Sequence, residues 1–286
     1  MNVSIIAVNY NTYPELQSFL RSVDNAASTF LRSVDEAATD LPGQADGAAA
    51  DGKGFDVRLF IADNSTQKQE TDLSAFSHIG IEYLPLDNLG YFGGAAAVLK
   101  AFPEACQADY TIVSNVDLTY DSGFFLALAK VPKETSTAWI APRIHSAFEQ
   151  RDRNPKRDRY SRRKLSLMRI KFRFPWLNTL YNKTLYKRAK RSLPVPAGPV
   201  YSAHGAVIIL ARAFFEQGGT LSYPMFLFCE ELFLAEQIAV REMKVLYCPD
   251  ILVHDLDHVS TSRMNWRIYC QANLKAVNYI LNRFYK

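Results

Sequence analysis

The chain has 286 residues, of which 48% are hydrophobic and 22% are charged, and its formal net charge is +4. This length suits one large domain or two small ones, and the hydrophobic content excludes a disordered chain because it can build a core. The four cysteines lie far apart without a C-x-x-C pair, which argues against a disulfide framework and a zinc site. No signal-peptide start and no uncharged apolar run of about 18 residues is present, so we expect a cytoplasmic protein.

Short apolar runs alternate with helical patterns along most of the chain. The runs that predict strands are 3–8, 57–62, 79–84, 110–113, 137–141, 203–210, 245–248 and 251–253. The patterns that predict helices begin at Thr12 and cover 95–102, 122–130, 213–217, 230–243 and 265–284. Strands that alternate with helices in this way predict an α/β protein with a doubly wound, mostly parallel sheet and flanking helices.

The helix that begins at Thr12 contains an internal repeat, FLRSVDNAAST from Phe19 and FLRSVDEAATD from Phe30. The period of eleven residues is close to three helical turns, so both copies place their apolar side chains on one face. We interpret the repeat as a tandem duplication that lengthens the helix by roughly 16 Å. Residues 41–54 are rich in Ala, Gly and Asp and predict a mobile surface loop.

Polar residues follow three of the predicted strands. The first strand runs into V-N-Y-N at Val8 to Asn11, the second into D-N-S at Asp63 to Ser65, and the central strand into Asn115-Val116-Asp117. In an open α/β sheet, ligands bind beyond the carboxyl ends of the strands. A carboxylate at Asp117 can hold a divalent cation against the phosphates of a ligand. The alternative is an aspartate at a turn that makes only local hydrogen bonds.

A glycine-rich stretch, N-L-G-Y-F-G-G from Asn88 to Gly94, leads into a predicted helix. Glycines before a helix N-terminus let the backbone approach a phosphate closely. An ordinary loop with a helix start is the alternative.

Two further polar groups stand in the C-terminal part of the chain. Glu230 and Glu231 follow an apolar run at a predicted helix start, a position that suits a general base. Acidic residues also favour a first helical turn for purely electrostatic reasons. His254 and His258 follow a predicted strand among carboxylates, and both are candidate metal ligands.

Residues 150–194 differ from the rest of the chain by their density of Lys and Arg, with only Asp152 and Asp158 opposing them. Between Leu165 and Leu180, Leu, Ile, Phe and Trp side chains are interleaved with the Lys and Arg residues. A basic segment with interleaved apolar residues predicts binding to an anionic membrane surface, here through residues 151–191. Nucleic-acid binding and a solvated helical insertion are the alternatives.

In their order, these motifs resemble glycosyltransferase family 2, whose members are inverting enzymes with a GT-A fold, and most closely its bacterial rhamnosyltransferase-like members. The resemblance spans nearly the whole chain apart from 41–54 and the basic insertion at 150–194. It implies a single GT-A domain over 1–286 that ends in the helix at 265–284. The segments that carry it are Val8–Asn11, Asp63–Ser65, Asn88–Gly94, Asn115–Asp117, Gly205-Ala206, Arg212, Gly218-Gly219, Glu230-Glu231, His254 and Ser260-Thr261.

Three positions depart from the family pattern. Asn115 replaces the first Asp of the D-x-D motif, Glu231 occupies the usual Asp position, and Phe233 stands where a further Asp is common. His254 is favoured over His258 as a metal ligand because it directly follows the strand.

The resemblance implies transfer of a sugar from a nucleoside-diphosphate sugar to an acceptor hydroxyl, with inversion. It implies Glu231 as the base, Glu230 as the residue that orients it, and Asp117 with His254 as ligands of Mn²⁺ or Mg²⁺. The implied donor-binding residues are Val8, Asn9, Asn11, Asp63, Asn88, Gly90, Gly94 and Asn115.

The expected acceptor is a glycan or lipid-linked glycan of cell-surface polysaccharide synthesis, at the inner face of the cell membrane. The alternatives are a catalytically inactive module that binds nucleotide-sugar or polysaccharide, and a basic nucleic-acid-binding protein. No nucleic-acid partner is expected, because no recognisable nucleic-acid motif accompanies the basic segment.

Overall fold

A computed structural model describes residues 1–39, 54–176, 195–255 and 265–286. Ten of the described strands form one sheet. These strands are β1 Asn2–Asn9, β2 Asp56–Asp63, β3 Gly80–Pro85, β4 Tyr110–Asn115, β5 Leu118–Tyr120, β6 Thr137–Ser146, β7 Arg151–Asp152, β8 Gly198–Val200, β9 Val207–Ala211 and β10 Lys244–Asp255. The described α-helices are α1 Tyr13–Thr39, α2 Tyr91–Ala101, α3 Phe124–Ala129, α4 Arg162–Arg173, α5 Arg212–Glu216, α6 Glu230–Val240 and α7 Trp266–Phe284, and a short 3₁₀ helix covers Pro103–Gln107.

The strands follow the order β3-β2-β1-β4-β9-β6-β10-β5, with β7 beside β6 and β8 beside β10. The longest pairings, β1 with β2 and β6 with β10, are parallel, and so are β1 with β4 and β2 with β3. The predicted doubly wound, mostly parallel sheet is confirmed. β9 is the exception in the middle of the sheet, since it runs antiparallel to both β4 and β6.

Helices cover both faces of the sheet because neighbouring residues of a strand point to opposite sides. Ile5 and Leu59 join Phe19 of α1 and Phe124 of α3 in one core. The adjacent residues, such as Ile6 and Phe60, join α2, α4, α6 and α7 in the second core.

Both copies of the repeat lie within the single helix α1, as predicted, except for Asp40 at the end of the second copy, which lies outside the described residues. Phe19 of the first copy is fully buried, whereas Phe30 of the second is half-buried and packs against the Phe55 ring at 4.2 Å. Val34, further along the second copy, is 39% exposed. The second copy therefore keeps its apolar side chains on the same helix face as the first, but these side chains lie at the edge of the core and are less buried. The predicted loop at 41–54 lies outside the described residues except for Gly54.

Several predicted boundaries were wrong in informative ways. Residues 203–206 belong to a loop before β9 and not to a strand. The two predicted strands at 245–248 and 251–253 form one strand, β10, with a register shift between Cys248 and Leu252. Of the basic insertion, β7 and α4 are described, while 177–194 lie outside the described residues.

The predicted closing helix is present as α7, which packs against α4. Within the described ranges, no helix combines the length and the apolar character that crossing a bilayer requires.

Candidate active site

Asn9 and Asp63 form a buried polar pair at the carboxyl edge of the sheet, as register neighbours at the ends of β1 and β2. Asn9 Nδ2 donates to Asp63 Oδ1 over 3.1 Å. Ser65 donates to the same oxygen through its backbone N–H at 3.1 Å and its hydroxyl at 2.5 Å. The other carboxylate oxygen accepts from the hydroxyls of Tyr13 and Tyr83. Asp63 is therefore the centre of a hydrogen-bond network that joins β1, α1, β2 and β3.

These donors determine the charge state of Asp63. Burial alone would raise its pKa, but the hydrogen bonds from Ser65, Tyr83 and Tyr13 outweigh burial and lower the pKa. A nucleotide would have to displace one of these donors in order to bind Asp63 directly. The two tyrosines were missed in the sequence because they lie on α1 and β3, far from the D-N-S motif.

The other predicted donor-binding residues of β1 and β4 lie along the same edge. Asn11 has a positive φ of 54°, its side chain is exposed, and its backbone N–H donates to Ser65 Oγ over 2.8 Å. Val8 is the register neighbour of Asn115. The backbone N–H of Asn115 donates to the carbonyl of Ala206 over 2.9 Å, which brings the loop before β9 to the end of β4.

The glycines of the Asn88–Gly94 stretch are required by contacts within the protein. Gly90 has a φ of 77°, and a Cβ there would lie 1.9 Å from the carbonyl oxygen of Phe226. Asn64 Nδ2 donates to the Gly90 carbonyl over 2.9 Å, and a Cβ at Gly94 would lie 3.1 Å from the same nitrogen. This stretch therefore packs tightly between the D-N-S turn and the loop that precedes Glu230. Its predicted approach to a phosphate stays a prediction.

Asp117 lies between β4 and β5 and is 8% exposed. The short strand β5, which was not predicted, pairs antiparallel with β10 and places Thr119 opposite His254. His254 Nε2 lies 4.0 Å from Asp121 Oδ2. The structure thus brings His254 to the strand that follows Asp117, with Asp121 as a nearby carboxylate.

The described residues fit one kind of divalent-cation site and not another. Among them, no group of three or more His, Cys, Asp or Glu side chains could hold a metal ion, and His258 lies outside the described ranges. Mg²⁺ is usually held by one or two carboxylates together with substrate phosphates, and not by a cage of protein ligands alone. Asp117, a buried carboxylate at a strand end, fits that arrangement. The participation of His254 stays a prediction.

Glu230 and Glu231 begin α6 after a conformationally unusual turn. Phe228 and Cys229 both have positive φ, 74° and 65°, a region that costs a non-glycine residue about 1–3 kcal/mol. The turn is fixed from both sides, because the Phe228 N–H donates to Glu230 Oε1 over 3.0 Å and Tyr223 donates its hydroxyl to the Phe228 carbonyl over 2.8 Å. Glu230 therefore has a structural contact that holds the beginning of α6.

Both carboxyl groups are harder to ionise than an ordinary glutamate. Burial, and then the charge of Glu231, raise the pKa of Glu230 to about 8. Burial raises the pKa of Glu231 as well, while its own backbone N–H and the ammonium of Lys156 partly oppose the rise. A Cβ at Gly205 would lie 3.8 Å from Glu231 Oε2, an ordinary contact distance, so the loop before β9 lies beside this carboxylate. Carboxyl groups with perturbed pKa values are enriched at sites of proton transfer.

Tyr91 connects the two predicted halves of the site. Burial raises its pKa, and the nearby carboxylates of Glu230 and Asp117 add to the rise. Its hydroxyl donates to the Ala206 carbonyl over 3.4 Å. Asp117, the predicted cation ligand, and Glu230 of the predicted catalytic pair are thus both near enough to raise the pKa of the same tyrosine.

The first part of the basic segment folds onto this site, which the sequence did not indicate. The backbone N–H of Lys156 donates to the Ser202 carbonyl over 2.9 Å, and the Ser202 hydroxyl donates to the Glu231 carbonyl over 3.3 Å. Lys156 is consequently close enough to Glu231 to lower its pKa. Arg153 pairs with Asp255 at 2.6 Å, and the two side chains are only 10% and 4% exposed.

Two solved structures resemble this arrangement over nearly the whole chain. The crystal structure of S. aureus TarS matches 99% of this chain with a TM-score of 0.51 and 9% sequence identity. The crystal structure of GalNAc-T7 with UDP, GalNAc and Mn²⁺ matches 98% with a TM-score of 0.56 and 12% identity. This chain spans less than half of either protein, 44% of the first and 48% of the second. No protein-family model and no curated protein sequence matches it.

Both structures are glycosyltransferases, and the similarity at these identities concerns the fold. The sheet, its reversed strand β9 and the flanking helices give this chain the fold of GT-A glycosyltransferases.

Proposed function

We propose that this protein is an inverting glycosyltransferase of the family 2 type, which moves a sugar from a nucleoside-diphosphate sugar to an acceptor hydroxyl. The observation that carries the proposal is that the Gly205-Ala206 loop lies against both predicted halves of the site within a GT-A fold. The Ala206 carbonyl accepts from the N–H of Asn115, two residues before Asp117, and a Cβ at Gly205 would lie 3.8 Å from Glu231 Oε2. Displacement with inversion needs a base on one side of the sugar and stabilisation of the leaving group on the other.

The donor would lie along the carboxyl edge of β1, β2 and β4. Val8, Asn9, Asn11 and Asn115 would line the nucleotide, with Asp63 keeping this edge in place through its five hydrogen bonds. The diphosphate would face Asn88–Gly94, because α2 begins there at Gly90 without a side-chain cap and leaves backbone N–H groups for an anion.

Glu231 would accept the proton of the acceptor hydroxyl while the hydroxyl oxygen forms a bond to the anomeric carbon. The bond between that carbon and the diphosphate breaks on the opposite face, which inverts the configuration. A divalent cation such as Mn²⁺ or Mg²⁺ at Asp117 would neutralise the charge that the departing diphosphate gains. Burial and the charge of Glu231 raise the pKa of Glu230 to about 8, and its Oε1 accepts the Phe228 N–H over 3.0 Å, which together favour Glu230 as the orienting residue and not as the base.

The proposed acceptor is a glycan or lipid-linked glycan of cell-surface polysaccharide synthesis, presented at the inner face of the cell membrane. Rhamnose is the first sugar to test, because the sequence motifs resemble those of rhamnosyltransferases.

A screen of nucleoside-diphosphate sugars for thermal stabilisation in Mn²⁺ tests the proposal. A donor at a hundred times its Kd adds about 2.7 kcal/mol to the free energy of unfolding. Asp117→Ala should abolish the Mn²⁺-dependent part of this stabilisation, whereas Asp121→Ala, on the other side of β5, should keep it. If the loss follows Asp121→Ala instead, the cation ligand is wrongly assigned.

Hydrolysis of the stabilising donor distinguishes the enzyme from its rivals. Slow release of the nucleoside diphosphate by the wild type, but not by Glu231→Gln, supports the transferase. Binding without any turnover, even with glycan acceptors present, would indicate an inactive nucleotide-sugar-binding module. The absence of stabilisation by every donor would contradict the proposal itself.

A further inference from the structure

The basic segment that predicts membrane binding divides into two parts in the structure. In residues 151–160, three basic side chains are paired with carboxylates of the protein. The pairs are Arg151 with Glu149, Arg153 with Asp255 and Arg159 with Glu236. The second part is α4, which contains no acidic residue, and the sequence has none between Asp158 and Glu216. The two parts therefore have different electrostatic surroundings.

One side of α4 belongs to the core. Leu165 and Phe172 are buried, Met168 packs against the same cluster, and the Phe172 ring meets Tyr269 of α7 at 6.1 Å. The spacing of these residues, i, i+3 and i+7, is that of one helical face. This row is sufficient to hold the helix on α7.

A second apolar row lies on the opposite side of α4. Leu167 and Ile170 repeat the spacing of Leu165 and Met168 two residues later, which rotates them by about 200° around the helix. They are 67% and 45% exposed, and Phe174 at the end of the helix and Trp176 just beyond it are 46% and 65% exposed. A surface helix normally has one apolar stripe and a polar outer face. The outer row of α4 is thus unexplained by the packing of the described residues.

Basic side chains border the outer row on both sides. By the helical repeat, Arg162, Arg169 and Arg173 lie along one side of the row and Lys164 and Lys171 along the other. Arg163 lies within the row, beside Leu167. An apolar centre with a cationic border matches the boundary between the acyl chains and the headgroups of an anionic bilayer.

We infer that α4 lies parallel to an anionic membrane, with Leu167, Ile170, Phe174 and Trp176 inserted into the headgroup region. The apolar side chains would enter by about 5–10 Å, and the arginines and lysines would remain at the lipid phosphates. Residues 151–160 contribute less, because three of their five basic side chains, Arg151, Arg153 and Arg159, are paired with carboxylates of the protein. Nucleic acid is the less favourable partner, since Leu167 and Ile170 place aliphatic side chains on this surface, and these make no hydrogen bonds with phosphates.

The position of α4 connects this surface to the proposed active site. Lys156, six residues before the helix, lies beside Glu231, and α7 packs on α4 and carries Tyr269 against Phe228 at 5.0 Å. Docking through α4 would therefore hold the acceptor side of the site close to the membrane. This connection to a lipid-linked acceptor rests on the proposed function, whereas the membrane surface itself does not.

Sedimentation of the full chain with lipid vesicles tests the inference. Vesicles of 30% phosphatidylglycerol in phosphatidylcholine are compared with pure phosphatidylcholine at 0.1 M and 0.5 M NaCl. Each basic residue near an anionic surface strengthens binding about fivefold at low salt, so binding should require the anionic lipid and weaken at high salt. The double variant L167Q/I170Q should bind about tenfold more weakly or worse.

A matched double variant, F148Q/V240Q, removes two apolar side chains that are 81% and 71% exposed elsewhere on the surface. It should bind vesicles like the wild type. Trp176 supplies a local signal, because its fluorescence should shift to shorter wavelength on anionic vesicles and W176F should lose that shift. W266F, which changes a tryptophan of α7, should keep it.

Three results would overturn the inference: equal binding to neutral and anionic vesicles, equal losses in the two double variants, or binding to a single-stranded oligonucleotide without binding to vesicles. L167Q/I170Q should retain the stabilisation by donor that the wild type shows. Vesicle binding without any donor binding would contradict the proposed transferase function and support the membrane-binding surface. Donor binding without vesicle binding would support the transferase function and contradict the membrane-binding surface.

Discussion

Asp63 and Glu230 are two buried carboxyl groups at the same edge of the sheet, and their pKa values are shifted in opposite directions. Asp63 accepts from Asn9, Ser65, Tyr13 and Tyr83, so its charged form is favoured despite burial. Glu230 accepts from the backbone of Phe228 and lies beside a second carboxyl group, so its pKa rises to about 8. Burial therefore does not by itself fix the direction in which a carboxyl pKa shifts. The supply of hydrogen-bond donors decides it.

The largest effect that follows from this comparison concerns the activity of Glu231→Gln. Glutamine keeps the size of the side chain and removes the proton acceptor, so kcat should fall by about 10²- to 10⁴-fold. The Kd of the donor should change little. Product formation and calorimetric titration of the donor measure the two quantities.

Glu230→Gln is the matched control, because it alters the adjacent residue of the same helix turn. We expect a smaller loss of kcat, since its neutral amide retains the contact with Phe228. If Glu230→Gln is inactive and Glu231→Gln is active, the two roles are exchanged. Full activity in both variants would remove this pair from the mechanism.

The second prediction concerns stability at Asp63. The folded pKa lies below the unfolded value, so the contribution of the carboxylate is present above about pH 4 and is lost as the pH falls through the folded pKa. Asp63→Asn should lower the free energy of unfolding at pH 7 by roughly 1–3 kcal/mol, the range for a hydrogen bond to a charged group. Urea unfolding at pH 7 and pH 3 should show the difference shrinking at the lower pH.

Asp72→Asn is a close control for Asp63→Asn. Asp72 accepts from the backbone and hydroxyl of Ser74 at 3.0 and 2.7 Å, the same local motif that joins Asp63 to Ser65, but it is exposed. It lacks the tyrosine and asparagine donors of Asp63. We expect little change in this variant, and an equal loss in both would mean that the local serine motif, and not the buried network, supplies the stability.

The smallest effect concerns Lys156, which opposes the rise in the pKa of Glu231. Lys156→Met should raise the pKa of Glu231 further, because a positive charge that favours the carboxylate is removed. The acidic limb of the kcat/KM profile should then move to higher pH. Among the described residues, the titratable groups that interact electrostatically with Glu231 are Glu230, Lys156, Cys229 and Tyr223.

Lys156→Arg should restore the wild-type pH profile, whereas loss of packing alone would lower the rate at every pH. Lys164→Met is the matched control. The ammonium of Lys164 also lies over the Tyr160 ring, at 4.4 Å against 3.1 Å for Lys156, but does not influence Glu231. An unshifted limb in Lys156→Met would contradict the electrostatic role.

The sequence predicted the sheet because its signals are local. Apolar runs of strand length, helical periodicity and the eleven-residue repeat each lie within one segment, and the doubly wound, mostly parallel sheet followed from their alternation. β5 was missed because it has only three residues, and β9 was assigned too early because Ala203 and Ala206 extend its apolar pattern into a loop.

The order of the motifs also predicted site residues at strand ends and helix starts, because both kinds of position can be recognised in a sequence. These residues are Asn9, Asp63, Asn115, Asp117 and Glu230. Their partners were not visible. Tyr13 and Tyr83 reach Asp63 from other elements, and Lys156 reaches Glu231 from within a segment whose composition resembles a uniform basic surface. The opposite pKa shifts of Asp63 and Glu230 depend on these distant neighbours.

By itself, then, the sequence determined most of the elements, their order and the polar residues at the sheet edge, because backbone propensity and periodicity are properties of contiguous residues. Only the tertiary structure decided which carboxyl group is surrounded by hydrogen-bond donors. It also decided which Lys and Arg residues between Arg151 and Arg173 are paired with carboxylates, and which apolar row of α4 remains exposed. Those outcomes depend on contacts between residues that are distant in the chain, and burial and hydrogen bonding arise only when the chain is folded.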